Sequence, residues 1–498
     1  MTEALLIYPK ITEGIQSKYL ETVLFNSMPV SLGFLAGYLE DKNIKVKIID
    51  EQLKPLSYDF IKKELGNLDE PKIVGISILT SAYKRACEIA RIIKDIHKNT
   101  VVIVGGIHPS STVEECLGEP FFDIVVRGEG EETLYEIIKA LRERRNLINI
   151  AGFSYKDSGQ IVHNPDRGLL QNLDTIPPFP YHLFEDNLNK YKEFGIVVSS
   201  RGCPHKCIFC SPRIISQNKY RIHSVERVIN DIGLLINKYN QTRISFLDDN
   251  ILSNKKRFFK IIDHIIENDF HKKAKFYLGV RGKDMTEELC NKLKAANFEV
   301  AINFETGTNR MLKFIKKDET IEENINAVMV AKHYGVSVTS VFIFGFPEET
   351  EEDRREAIRI SRRIPIDSVR FNIAIPYPGT ELYDIAKKHN KLNVRGKYEN
   401  FSVQHYLEDD DLPYVLSPED KCKVVFDVFW ANLSFYLRPA ILIKNLFSRN
   451  FAGHAISLDS KKSFLTLKKV IMLTIIMIKR FMSIFIRRFI PAKQHRYT

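Results

Sequence analysis

The sequence predicts an α/β protein in three parts: an N-terminal doubly wound, Rossmann-like sheet, a partial (β/α)6 TIM-like barrel, and a C-terminal helical tail. Two patterns carry this. Short apolar runs alternate with amphipathic stretches up to residue 150 and again from residue 195, as expected of parallel strands covered on both faces by crossover helices. Between the two series, DTIPPFPYHLF (Asp174 to Phe184) packs three prolines into a short stretch that allows neither a continuous helix nor a central strand. The expected units are 1–150, a connector over 151–190 draped on the surface, a second unit over 191–400 and the tail over 401–498. For 498 residues, about three domains is the usual count.

In the first unit the strand-like runs are ALLIY (Ala4 to Tyr8), VKIID (Val46 to Asp50), IVGISIL (Ile73 to Leu79), VVIVGG (Val101 to Gly106) and DIVVRG (Asp123 to Gly128). Helical patterns start near Ser31 and Ala82 between them. Ligands of such sheets bind beyond the carboxyl ends of the strands. The candidate residues gather there: Thr80 and Ser81, then Gly105, Gly106 and His108, then Gly128 and Glu129. Glycine lets backbone approach a ligand with no Cβ in the way, hydroxyls can bond its polar groups, and acids suit the start of the next helix. Glycines and acids also occur at βα turns for purely structural reasons, so the residues alone leave both readings open.

The second unit opens with GIVVSS (Gly195 to Ser200), followed by strand-like runs at Arg243 to Asn250, Lys275 to Gly282, Glu299 to Gly307, Val336 to Glu349 and Ser368 to Thr380. Six strand–helix repeats predict an incomplete barrel with its reactive groups at the carboxyl mouth. The first strand delivers SSRGCPHKCIFCSPR, in which Cys203, Cys207 and Cys210 are spaced C-x3-C-x2-C. Clustered thiolates select iron–sulfur centres over hard cations. Three anchors leave one iron of a cubane with a free position, where chemistry can occur. A zinc knuckle would need a second ligand pair, which does not follow, and His205 suits a turn. A disulfide is disfavoured by seven cysteines in 498 residues and by the absence of a secretory pattern at the start. Cys87, Cys116, Cys290 and Cys422 share no spacing and are expected to be buried thiols.

Other polar residues fall at the remaining strand ends. Asp248 and Asp249 either face an ammonium group or cap the next helix. Arg281 suits an anionic group. Glu305, in an otherwise apolar strand end, is costly unless paired. Gly345 in IFGFPEE allows close backbone approach, while PYPGTELY (Pro376 to Tyr383) either borders the mouth or shapes a turn.

CPHKCIFC, with Phe209 before the last cysteine, resembles the radical S-adenosylmethionine (SAM) superfamily. The series MPVSLGFLAGYLED, VGISILTSAY, VVIVGGIHPS and DIVVRGEGEETL resembles the cobalamin-binding domain that precedes many such cores. The resemblance implies a 4Fe-4S cluster on Cys203, Cys207 and Cys210. It also implies SAM near Phe209, Asp248, Asp249, Arg281, Glu305 and Gly345, and cobalamin near Thr80, Ser81, Gly105, Gly106, His108, Gly128 and Glu129. The D-x-H-x-x-G motif of mutases, which supplies a histidine to cobalt, is absent: the first strand is followed by YPKITEG. His108 is therefore expected to make polar contact only. The family implies methylation of an unactivated carbon, with an electron donor such as flavodoxin or ferredoxin. The alternatives are an oxidative cyclase acting on a porphyrin ester, a rearranging enzyme, or a cobalamin-dependent sensor. The intact cysteine loop opposes the sensor.

Charge is concentrated in the tail. Beyond Asp459 there is no acid, yet ten Lys and Arg follow, leaving 63 basic against 62 acidic residues elsewhere out of a net +11. A near-neutral body argues against nucleic acid as a partner. The longest uncharged tail stretch, Val470 to Ile478, is too short to span a bilayer. On a helix, Lys468, Lys469, Lys479, Arg480 and Arg487 fall within an arc of about 120°. This predicts either a peripheral membrane helix on the cytoplasmic face or a helix packed on the protein with its basic side in water. The overall expectation is a cytoplasmic enzyme acting on a small, lipid- or isoprenoid-like substrate.

Overall fold

The computed structural model describes residues 2–11, 27–403, 411–415, 418–439, 441, 450–451, 456–457, 478–479, 481–483 and 485–486. In the first unit, β1 (Ala4–Tyr8), β2 (Val46–Asp50), β3 (Ile73–Ser77), β4 (Val101–Gly105) and β5 (Ile124–Val126) form a parallel sheet in the order β2-β1-β3-β4-β5. The inner strands are buried on both faces, with Leu5, Ile7, Val74 and Val102 on one side and Leu6, Ile73 and Ile103 on the other almost inaccessible, whereas the edge strand β2 buries only Ile49. Three strands stop one or two residues short of their apolar runs. Ile78, Leu79, Gly106, Arg127 and Gly128 leave the sheet to build the turns at its carboxyl edge.

The connector differs from expectation. FSYKD and QIVH form β6 (Phe153–Asp157) and β7 (Gln160–His163), an antiparallel hairpin that extends the first sheet beyond β5. The following proline-rich stretch is not draped on the surface. Leu173, Ile176, Phe179, Tyr181 and Phe184 are buried in the core of the second unit, and Tyr181 donates to the Ile196 carbonyl at 2.7 Å. The prolines limit the stretch to 3-10 turns, Leu173–Thr175 and from Tyr181 onward, and its five large side chains gain by leaving water.

The second sheet runs β15-β14-β13-β12-β11-β8 from β8 (Ile196–Val197), β11 (Arg243–Phe246), β12 (Lys275–Val280), β13 (Phe298–Glu305), β14 (Ser337–Phe344) and β15 (Ser368–Ile373). All its pairings are parallel and in chain order, with helices between, so the barrel is open between β8 and β15. A small antiparallel pair, β9 (Ser200–Arg201) with β10 (Arg221–Ile222), flanks the cysteine loop. The β15 edge is covered by helix Pro418–Tyr436, which buries Val424, Val425, Val428, Phe429, Ala431 and Phe435. Tyr436 donates to the Val369 carbonyl at 2.7 Å, and Arg354 donates to Asp427 at 2.7 Å. Apart from its few residues between 478 and 486, the expected amphipathic tail helix lies outside the described residues. Among described residues, no helix is long and apolar enough to cross a membrane.

Candidate functional site

A cavity of about 400 Å³ opens between the two sheets. One wall comes from the carboxyl edge of the first: Ser77, Gly105, Gly106, Gly128 and Glu129. Helix Val30–Asp41 contributes Val30, Leu32 and Leu35, and the opposite wall is Ser200, Arg201, Gly202, Leu247 and Asp249 from the second unit. The cavity continues down the sheet face past Leu6, Gly75 and Ile103. Gly106 has φ +101°, and a Cβ there would lie 3.1 Å from the Ile78 carbonyl, so no other residue fits without strain. A Cβ at Gly128 would meet no atom within 4 Å, which leaves open room at the wall.

Of the residues expected near cobalamin, Thr80, Ser81 and His108 do not line this cavity, and on the other side Cys203, Cys207, Cys210, Phe209, Asp248, Arg281, Glu305 and Gly345 lie outside its lining as well. Thr80 and Ser81 sit in a short 3-10 turn, and Thr80 is buried. His108 is buried with its ring centroid 4.4 Å from that of Tyr83 and 4.9 Å from that of Tyr398. Neither of its ring nitrogens has a hydrogen-bond partner. Burial pushes its pKa down to about 3, so the ring is neutral. Glu129 does line the cavity, but its carboxylate is engaged by the protein. Arg221 donates to both oxygens at 2.8 and 3.0 Å, Arg201 at 3.1 Å, and the Leu170 amide at 3.2 Å. Burial raises its pKa, yet the two guanidinium groups outweigh that and hold the carboxyl below the usual range. Arg201 also donates to Glu131 at 2.7 Å and lies over the Phe34 ring.

The cysteine loop leaves β9 through Gly202, whose φ is +88° and whose absent Cβ would lie 2.2 Å from the Lys219 carbonyl. The Gly202 amide donates to Asp249 at 2.9 Å. Asp248 does not line the cavity and is part-buried. It accepts from the Ser199 amide at 3.2 Å, the Ser199 hydroxyl at 2.8 Å and the Ser200 hydroxyl, so it bolts the strand rather than meeting a ligand. Burial raises its pKa to about 6 and also raises that of Asp249. Neither aspartate caps a helix, since Asn250 and Asn254 hold those positions.

Cys203, Cys207 and Cys210 are half-buried free thiols. The loop is pinned at its centre, where the Ile208 amide donates to the Ile315 carbonyl at 3.1 Å and the Leu382 amide donates to the Ile208 carbonyl at 3.0 Å. Phe209 packs on Phe346 with centroids 5.6 Å apart. Burial raises the pKa of all three thiols, that of Cys210 to about 12, with Cys207 and Cys203 adding to the effect there. Lys317 and Arg281 oppose the rise at Cys207. Among the described residues the three thiols are not gathered into a preformed metal site. Three cysteines on one loop, with Arg281 beside Cys203 and Cys207 and Lys317 beside Cys207, nevertheless suit a metal–sulfur centre in their chemistry: metal binding displaces the protons, and the cations offset the negative charge.

Arg281 and Glu305 belong to one buried network. Arg281 donates to the Asp318 carbonyl at 2.9 Å and lies 3.3 Å from Glu319. Lys317 lies 3.5 Å from Glu319 and 3.0 Å from Glu305, which has φ +65°. Lys317 and Glu319 were not anticipated, because KKDE between two helices reads as a solvated turn. At the end of β14 the Gly345 amide (φ +90°) donates to Glu349 at 2.6 Å. Burial pushes Glu349 up to about 8 against the pull of Arg354. Its neighbour Glu348 is exposed.

Residues 197–360 match the radical SAM superfamily model and residues 17–138 match the B12 binding domain. A methyltransferase of Pyrococcus horikoshii, described as uncharacterised, is 36% identical over 431 residues, covering 85% of this chain and 90% of its own. The chain belongs to the cobalamin-binding branch of the radical SAM superfamily. Two more distant relatives of this radical SAM protein have named activities. The anaerobic magnesium-protoporphyrin IX monomethyl ester cyclase of Rubrivivax gelatinosus is 27% identical, over 72% of this chain and 66% of its own. The hopanoid C-3 methylase of Methylococcus capsulatus is 26% identical, over 77% and 73%. The structure of the methyltransferase TsrM from Kitasatospora setae, with cobalamin and a 4Fe-4S cluster bound, superposes with a TM-score of 0.67 at 16% identity, over 88% and 90%. The cofactors of this radical SAM protein are accordingly a 4Fe-4S cluster, SAM and cobalamin.

Proposed function

We propose that this radical SAM protein is a C-methyltransferase acting at an unactivated carbon of an apolar, lipid- or isoprenoid-like molecule. One observation carries the reading: the glycine-rich edge of the B12-type sheet and the strand leading into the cysteine loop wall the same cavity. When bound, the cluster with SAM supplies a radical that activates a C–H bond, and cobalamin supplies a methyl carrier. In this arrangement Cys203, Cys207 and Cys210 hold the cluster, while Asp249 and Gly345 border SAM. Gly105, Gly106 and Gly128 admit cobalamin against backbone. Leu32, Leu35, Ile103 and Leu247 keep water from the space between. Arg281, near Cys207, balances charge at the cluster's edge. The apolar wall and the hopanoid methylase among the relatives support the substrate class. Seven free thiols suit a reducing cytoplasm, where a flavodoxin or ferredoxin would serve as electron donor.

The cyclase among the relatives supports a second reading with the same cofactors. Anaerobic reconstitution followed by assay for 5′-deoxyadenosine and S-adenosylhomocysteine separates the two. Methyl transfer requires both products and a methyl mass increment in an extracted lipid; cyclisation gives 5′-deoxyadenosine without S-adenosylhomocysteine. Neither product from cluster-loaded protein would leave a sensor. Cys203→Ala should abolish cluster incorporation, and a variant that still carried the full iron and sulfide content would remove the basis of the assignment.

A further inference from the structure

Among the described residues, the C-terminal elements leave an apolar surface uncovered. Helix Pro418–Tyr436 turns one face onto β15, but on its other side Trp430, Leu433 and Leu437 are 45%, 38% and 56% exposed. Their spacing of three and four places them on one stripe. One turn earlier Phe426 stacks on Phe481 at 5.5 Å and lies 6.0 Å from Phe485, which brings the described part of the tail beside this helix. There Ile478, Met482, Phe485 and Ile486 are 55%, 48%, 40% and 48% exposed. Seven of the 16 exposed large apolar side chains among the described residues thus come from two short segments. Single exposed leucines are ordinary, whereas a gathered set marks an interaction surface.

The occupant follows from charge. No acid occurs beyond Asp459, while ten Lys and Arg do, and Lys479 is exposed among the apolar residues just named. A second copy would set one basic tail against another. A nucleic acid would leave the apolar stripe wet. An anionic bilayer offers acyl chain for the stripe and phosphate for the cations at once, and tryptophan is at home in that interfacial zone. No described helix is long and apolar enough to cross, so the contact is with the surface. We propose that the Trp430–Leu433–Leu437 stripe, together with the basic tail, docks this protein on an anionic membrane surface. This does not depend on the reaction catalysed.

Trp430 is the only tryptophan in the chain, so its fluorescence reports on the stripe alone. The full-length protein is mixed with phosphatidylglycerol vesicles and, separately, with phosphatidylcholine vesicles. Docking predicts cosedimentation and a blue shift of Trp430 emission with phosphatidylglycerol, both weakened by salt, and little of either with phosphatidylcholine. The double variant Leu433→Glu, Leu437→Glu changes only exposed positions; it should retain the wild-type melting curve and lose at least about tenfold in vesicle affinity. No cosedimentation with phosphatidylglycerol overturns the proposal. So does cosedimentation with unshifted Trp430 emission, which would mean the tail binds without the stripe. A blue shift that tracks protein concentration without vesicles would assign the face to self-association and overturn it equally.

Discussion

His108 is a histidine with an aromatic environment and no hydrogen-bond partner, which makes its ring a titration liability. Its folded pKa is about 3 and its unfolded value near 6.5. Below pH 6.5 the unfolded chain takes a proton that the folded chain refuses. The stability linked to His108 is therefore complete above pH 6.5 and declines as pH falls toward 3, by up to about 1.4 kcal/mol per pH unit. His108→Phe should flatten the acid limb of stability against pH, measured by chemical denaturation between pH 4 and 7. An unchanged limb would show that other groups dominate it. Asp248 works in the opposite sense, as a hub that answers three donors. Asp248→Ala strands those donors in a closed space and should destabilise the protein by about 2–4 kcal/mol. The same loss would not follow at Asp249, which has one backbone donor and faces the cavity. Both aspartates were legible as strand-end acids. Which one faced open space was not, because adjacent residues at a strand end point to opposite sides and only the packed neighbours decide which side is closed.

At the scale of elements, periodicity was a sound guide where strands were apolar and a poor one where they were not. The eleven parallel strands named from apolar runs, five in the first sheet and β8 with β11 to β15 in the second, all form, although GIVVSS keeps only Ile196 and Val197 in the sheet. FSYKD and QIVH alternate over too few residues to stand out beside the prolines that follow, and so the hairpin β6–β7 was read as connector. The cysteine loop was legible in its ligands but not in its support. Gly202 attracted no notice in the sequence, yet its φ of +88° and the Lys219 carbonyl 2.2 Å from an ideal Cβ make it the most constrained residue of the loop. Gly202→Ala must displace either the loop or the β10 side of its hairpin. It should cost about 1–3 kcal/mol and lower the iron bound per chain after reconstitution, with all three cysteines still present. Full iron loading in this variant would mean that the loop tolerates displacement.

At the scale of the molecule, the two cofactor-binding units meet through charge as well as through the cavity. Glu129 and Glu131, from the turn after β5, hold Arg201 on β9 and Arg221 on β10. Arg201 stands two residues before Cys203, so this contact sets where the cysteine loop lies relative to the cobalamin-type edge. Sequence reasoning took Glu129 for a cofactor contact; its carboxylate is instead occupied by two guanidinium groups and the Leu170 amide. Only the three-dimensional return of β9 and β10 supplies the two guanidinium groups, some 70 to 90 residues later in the chain. The two roles predict different outcomes. A cofactor contact could be lost without cost to the cofactor-free protein. A clamp could not, because removing one partner of a buried charge cluster leaves the others uncompensated, at about 3–5 kcal/mol. Glu129→Ala should therefore destabilise the cofactor-free protein and separate its melt into two transitions as the units uncouple. Glu129→Gln, which keeps the shape and some hydrogen bonds but not the charge, should fall between. If cofactor-free Glu129→Ala melted like wild type while cobalamin affinity fell, Glu129 would be a ligand contact and the alignment of the two units would rest on apolar packing alone.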